Sequence, residues 1–144
     1  MGSLRVPLLP SWVRWLAVAL VAAVVVWSSV TRPPTGGPGP AFPGPIGFDK
    51  YLHIAAYLTL TGALGYALVD GRVERIAALA FAVAVSFGFG VELLQLASPY
   101  RSFSFGDAVA NAVGASVVAA LWGPLTDRVR FRPLDKWRGS RADR

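Results

Sequence analysis

A chain of 144 residues is long enough for one domain, and 54% hydrophobic content with only 15% charged residues places it among membrane proteins. The absence of cysteine excludes disulfide frameworks and thiolate sites. The net charge of +6 is concentrated in a C-terminal tail beside a hydrophobic segment, which suits anionic lipid head groups or topology control, and nucleic acid is not an expected partner.

Four apolar stretches approach or reach the roughly 20 residues that a spanning helix needs. Each predicts a helix, because a segment in hydrocarbon must satisfy its own backbone hydrogen bonds. The first covers about Trp12 to Val30. Its basic flank is like that of a signal peptide, but the run exceeds the roughly 7–15 residues of such a core. Ser28 and Val30 also make a poor cleavage site, so the segment is expected to be retained.

Residues 31–47 interleave Pro33, Pro34, Pro38, Pro40, Pro43 and Pro45 with glycines, which predicts an irregular loop. The second helix covers about Tyr51 to Val69, and the tight Asp70-Gly71-Arg72 turn pairs it with the third, about Ile76 to Ala97. The next loop carries Pro99, Tyr100, Arg101, Phe103 and Phe105, aromatics suited to the head-group interface. The fourth helix, the shortest, covers about Ala108 to Leu125, with Trp122 at an interfacial position. Gly106, Ala110 and Gly114 form a small-residue ridge on it, and Gly62 and Gly65 give small positions on the second helix, for close helix approach. Residues 9–125 are thus a transmembrane domain. Residues 126–144 are a basic tail with a short amphipathic segment around Val129, Phe131 and Leu134.

Orientation follows from the basic residues. Arg5, Arg14, Arg72 and Arg75 share one side with Arg128, Arg130, Arg132, Lys136, Arg138, Arg141 and Arg144 if all four segments span. Arg32, Lys50 and Arg101 lie on the other. The positive-inside rule then puts both termini in the cytoplasm. The expected class is all-α, a polytopic four-transmembrane-helix bundle in the cell membrane.

That topology brings three polar clusters to the outer side: Asp49-Lys50-x-x-His53, Glu92-x-x-Gln95, and Arg101 followed by Asp107-x-x-x-Asn111. An ionisable group in hydrocarbon costs roughly 2.5–3.5 kcal/mol on insertion scales, so such groups persist with partners or a purpose. The i, i+4 spacing stacks Asp49, His53 and Tyr57 on one face, and Asp107 with Asn111 on another. His53, Glu92 and Asn111 are expected at one depth, roughly 5–7 Å inside the membrane. Asp49, Lys50, Gln95, Arg101 and Asp107 form a tier above them.

Two readings of this set stay open. In the first it is a structural network, with Asp107 and Asp49 capping their helices and Glu92 paired with Arg101 or Lys50. In the second it is a ligand site. Lys50 and Arg101 supply positive charge for a phosphate or carboxylate, and Asp49, His53, Glu92, Gln95, Asp107 and Asn111 orient the ligand. Were it catalytic, Glu92 or His53 would be the general base and Asp107 an electrostatic or metal partner. Burial and neighbouring cations pull the proton affinity of Glu92 in opposite directions. There is no Gly-x-Ser-x-Gly or Gly-x-x-x-x-Gly-Lys motif, and one histidine without cysteines gives no diagnostic metal-ligand spacing. No metal or cofactor is required by the sequence, and the reading leans away from an enzyme. Polar residues at only one half of the membrane depth weigh against a channel.

The ordered text Phe48-Asp49-Lys50-x-x-His53-x-x-x-Tyr57, then Glu92-x-x-Gln95, then Arg101-x-x-Ser104-x-x-Asp107-x-x-x-Asn111-x-x-Gly114 resembles the VanZ-like family of small integral membrane proteins. The likeness covers about Gly47 to Val118, three of the four helices. The family is named for a protein associated with teicoplanin resistance, and most members have no established biochemical activity. The resemblance implies a link to cell-envelope components. The leading expectation is an envelope-associated protein that recognises a lipid head group or envelope precursor. A membrane-embedded enzyme acting on a lipid-linked substrate is the alternative, and a structural network serving partner proteins is the third. Membrane lipids are expected partners, and a homodimer is open.

Overall fold

Hydropathy marks the stretch of a helix that matches lipid, whereas the helix itself extends as far as its terminal turns are satisfied. The computed structural model, which describes residues 4–31, 47–98 and 102–134, shows this at each helix start. The elements are β1 (Leu4–Leu8), α1 (Ser11–Val30), α2 (Phe48–Ala67), α3 (Val73–Gln95), α4 (Phe105–Arg128) and β2 (Val129–Pro133). The last three helices begin before their apolar runs and carry Asp49, Glu74 and Asp107 in their first turns. A carboxylate there faces the positive end of the helix dipole.

The fourth helix is therefore not the shortest but the longest, at 24 residues. It runs through Pro124, which lacks a backbone donor, and its last turn is held by side chains. Thr126 Oγ1 lies 3.0 Å from the carbonyl of Trp122 and 2.9 Å from that of Gly123, and Arg128 donates to the Pro124 carbonyl at 2.9 Å. Among the described residues, α1, α3 and α4 are long and apolar enough to cross a membrane. The 20 residues of α2 match them in length, but its first two turns contain Asp49, Lys50 and His53.

The bundle is up-and-down, with α4 packed on α2 and α3, and α1 laid mainly against α2. Its core joins Tyr57, Leu60 and Leu64 of α2 to Ala80 and Ala84 of α3, Ala115 of α4 and Val25 of α1. Small residues set the spacing. A Cβ on Gly114 would run into the Ile54 carbonyl of α2 and lie 3.1 Å from Ile54 Cα. Gly65 leaves room for the Trp122 ring, 2.6 Å from where its Cβ would be. Trp122 is accordingly buried against Ile76 and Val118, because that gap accepts an indole. Gly62 faces open space and is not a packing position. Large apolar side chains point outward, Leu20 and Val24 of α1 being 58% and 66% exposed, as a lipid-facing surface requires.

At one end, β1 pairs in parallel with β2, with Arg5 opposite Arg130 and Val6 opposite Phe131. The fold is all-helical apart from this two-stranded ribbon, and β2 contains Val129 and Phe131 of the expected amphipathic segment. Both runs, LRVPL and VRFRP, have an apolar–polar alternation that suits one covered face, and neither could satisfy its backbone alone. The ribbon brings the start of α1 and the end of α4 to the same end of the bundle.

Tyr66 of α2 fastens it there. Its hydroxyl donates to the Pro7 carbonyl at 2.8 Å and accepts from the Leu9 N–H at 2.9 Å, while its ring meets Phe131 at 5.8 Å between centroids. Arg14, only 5% exposed, pairs with Asp70 at 2.8 Å and donates to the Tyr66 carbonyl at 3.1 Å. Arg14 is thus a structural partner of the α2–α3 turn. Tyr66→Phe keeps the ring and removes both hydroxyl bonds, so hydrogen exchange at the Leu9 amide should accelerate roughly tenfold, the equivalent of one net hydrogen bond. Unchanged protection at Leu9 would show that the ribbon is held by apolar contact alone.

Candidate functional site

The other end of the bundle gathers the first turns of α2 and α4 and the last turns of α3. Lys50 and His53 are one turn apart on α2, as are Asp107 and Asn111 on α4, so the two pairs match across the interface. Lys50 Nζ donates to Asp49 Oδ2 at 2.6 Å and also to Asp107 Oδ1. His53 Nδ1 lies 2.9 Å from Asn111 Oδ1, and its Nε2 lies 3.5 Å from Asp107 Oδ2. Gly106 makes room for the lysine stem, since a Cβ there would lie 3.1 Å from Lys50 Cε. Lys50, His53, Asp107 and Asn111 therefore form one continuous network between α2 and α4.

Glu92 of α3 is fully buried, and its Oε2 accepts the Ser104 N–H at 3.0 Å. The hydroxyl of Ser104 in turn accepts the Asp107 N–H at 3.2 Å, making Ser104 the N-cap of α4. Two expectations change here. Asp107 and Asp49 are first-turn residues and not caps, because their carboxylates are drawn to Lys50; Gly47 precedes α2 with no side-chain cap bond. Glu92 does not pair with Lys50, whose ammonium is already shared by two nearer carboxylates. Arg101 lies outside the described residues. Gln95, though buried, stands apart from the network: its Nε2 donates to the Ser29 carbonyl at 3.2 Å and ties α3 to the last turn of α1.

Beneath the network lie residues that a motif reading misses as site residues. Asp49, His53, Tyr57 and Thr61 recur at every fourth position of α2, so one face carries polar groups deep into the bundle. A Cβ on Gly88 would touch the Tyr57 hydroxyl oxygen at 3.0 Å, and Gly88 is one turn before Glu92 on α3. Tyr57 and Thr61 are among the most deeply buried side chains in the protein. Tyr57 OH, Thr61 Oγ1, Glu92 Oε1 and Asn111 Nδ2 are buried and have no hydrogen-bond partner among the described residues. Leaving such an atom unpaired costs about 1–3 kcal/mol, more for a charged group. Three facing helices thus carry unpaired buried polar atoms in and below the ionic rim.

Chemically, the unpaired atoms include both hydrogen-bond donors and acceptors. His53 bridges α2 to Asn111 through Nδ1 and lies within ion-pair distance of Asp107 at Nε2, while Glu92 Oε1 is the carboxylate oxygen left over. Among the described residues, no three His, Asp or Glu side chains converge as a metal-ligand set. Comparison with known proteins adds no assignment: no protein-family model, curated protein or solved structure matches the chain.

Proposed function

We propose that this is a multi-pass protein of the cell envelope that binds the polar head of a lipid or lipid-linked envelope precursor in the α2–α3–α4 cluster. Lys50, His53, Glu92, Asp107 and Asn111 hold the ligand, with Tyr57 at the floor and Arg101 adding charge. All four helices span, and both termini are cytoplasmic. The pairing of β1 with β2 at one end, where Arg5, Arg72, Arg75, Arg130 and Arg132 also lie, supports that topology. The envelope association rests on the resemblance to the VanZ-like family, carried by the same residues.

The observation that carries the binding reading is the set of buried, unpaired polar atoms beneath the ionic rim. A purely structural network gains about 0.6 kcal/mol per interhelical hydrogen bond, less than each unpaired atom costs. Such a network is best served by closing its own bonds, whereas a binding site leaves bonds for its ligand. Asp49, 61% exposed, is the carboxylate that an incoming phosphate would displace from Lys50.

Native mass spectrometry of the protein extracted in its own lipids tests this, with wild type beside His53→Ala and Glu92→Gln. The wild type should retain one species other than bulk lipid, and both folded variants should hold it roughly tenfold less or weaker still, as for the loss of one charge-assisted hydrogen bond. Bulk lipid alone in all three samples would sink the reading.

A further inference from the structure

A second site lies at the opposite end of the bundle, independent of the cluster above. The turn between α2 and α3 borders a cavity of about 500 Å³, lined by Arg72 and Arg75 together with Leu68, Ile76 and Leu79. Both arginines are exposed and form no ion pair among the described residues. Asp70 also lines the cavity, and its Oδ2 pairs with Arg14 at 2.8 Å. The pocket therefore presents two uncommitted guanidinium groups against an apolar wall.

Its position gives that combination a meaning. One of the helices apolar enough to cross a membrane, α3, begins at Val73, so on the proposed topology the cavity sits where that helix leaves hydrocarbon. That is the level of lipid phosphates. Leu79, 42% exposed, continues the apolar wall along α3 toward the hydrocarbon. The ribbon adds Arg5, Arg130 and Arg132, which the strand alternation puts on its exposed face at the same end. We propose that this pocket seats the head group of an anionic phospholipid, its phosphate between Arg72 and Arg75 and its first acyl carbons against Leu68, Ile76 and Leu79. A free phosphate would use the arginines and leave the apolar wall bare; a zwitterionic lipid would bring a cation against two guanidinium groups.

The full-length protein in mixed micelles, with equal phosphatidylglycerol and phosphatidylcholine, is examined by native mass spectrometry. The wild type should retain phosphatidylglycerol over phosphatidylcholine by about tenfold or more, as two interfacial arginines provide. Arg72→Gln/Arg75→Gln should abolish that preference, whereas Arg130→Gln/Arg132→Gln, which removes equal charge from the ribbon, should keep most of it. Equal retention of both lipids by the wild type overturns the proposal. So does equal loss in the two double variants, which would mean diffuse attraction, or displacement of the lipid by millimolar inorganic phosphate, which would mean a free-anion site. Should the pocket variant fail to fold, the ribbon variant decides: a kept preference supports the pocket and a lost one overturns it.

Discussion

Gly114→Ala is expected to destabilise the protein by about 2 kcal/mol or more, while Gly62→Ala, the same change on the partner helix, should stabilise it slightly. The two sites differ only in what a single methyl group meets. At Gly114 it meets the backbone of Ile54, which cannot rotate away as a side chain can, so α2 and α4 must part along their contact. Overpacking of this kind typically costs 1–3 kcal/mol, and a backbone obstacle puts it in the upper part of that range, roughly. At Gly62 nothing stands within 4 Å, so only helix propensity acts, favouring alanine over glycine by up to about 1 kcal/mol. Thermal unfolding in one lipid mixture should therefore move in opposite directions for the two variants. The consequence reaches the site. Ile54 follows His53 directly, and Asn111 stands one turn before Gly114, so parting the helices lengthens the 2.9 Å His53–Asn111 contact. Equal shifts for both glycines would show that α2 and α4 do not depend on this close approach.

Much of the site is legible in the sequence because polar residues stand out against apolar runs. His53 meets Asn111, with which a common depth is expected, and its other ring nitrogen reaches Asp107 of the tier above. Their neighbours are harder to assign, since side-chain types say little about backbone partners. Glu92 finds the Ser104 N–H and Gln95 the Ser29 carbonyl, and neither partner group has a sequence signature. The α4 cap was within reach: Ser104-Phe105-Gly106-Asp107 has the Ser-x-x-Asp form of a helix start, which favours the serine over the aspartate. Arg14 also carries a signal, an arginine inside an apolar run, yet counting it only toward topology hides its bond to Asp70. The ribbon is the least legible element. Its strands are five residues each and lie at opposite ends of the chain, so no local pattern joins them.

The same physics makes Lys50 the side chain whose loss should be felt most within the ionic rim. Lys50→Met removes the cation shared by Asp49 and Asp107. Asp49 can turn into water, but Asp107, 15% exposed, stays in the interface with only His53 within 4.0 Å as an ion-pair partner among the described residues. Stranding one member of a fully buried pair costs 3–5 kcal/mol, and the 26% exposure of Lys50 brings the expected loss to about 2 kcal/mol. Asp49→Asn should cost almost nothing by comparison. Adding Asp107→Asn to Lys50→Met removes the stranded charge, so the double variant should recover about 1 kcal/mol relative to the sum of the single changes. Denaturation in lipid measures all of these. A coupling of that size means that Lys50 is held by α4, and a bound anion must compete with Asp107 or replace only Asp49. A coupling near zero means that Asp107 does not hold the ammonium, which is then free to meet a ligand with its full charge.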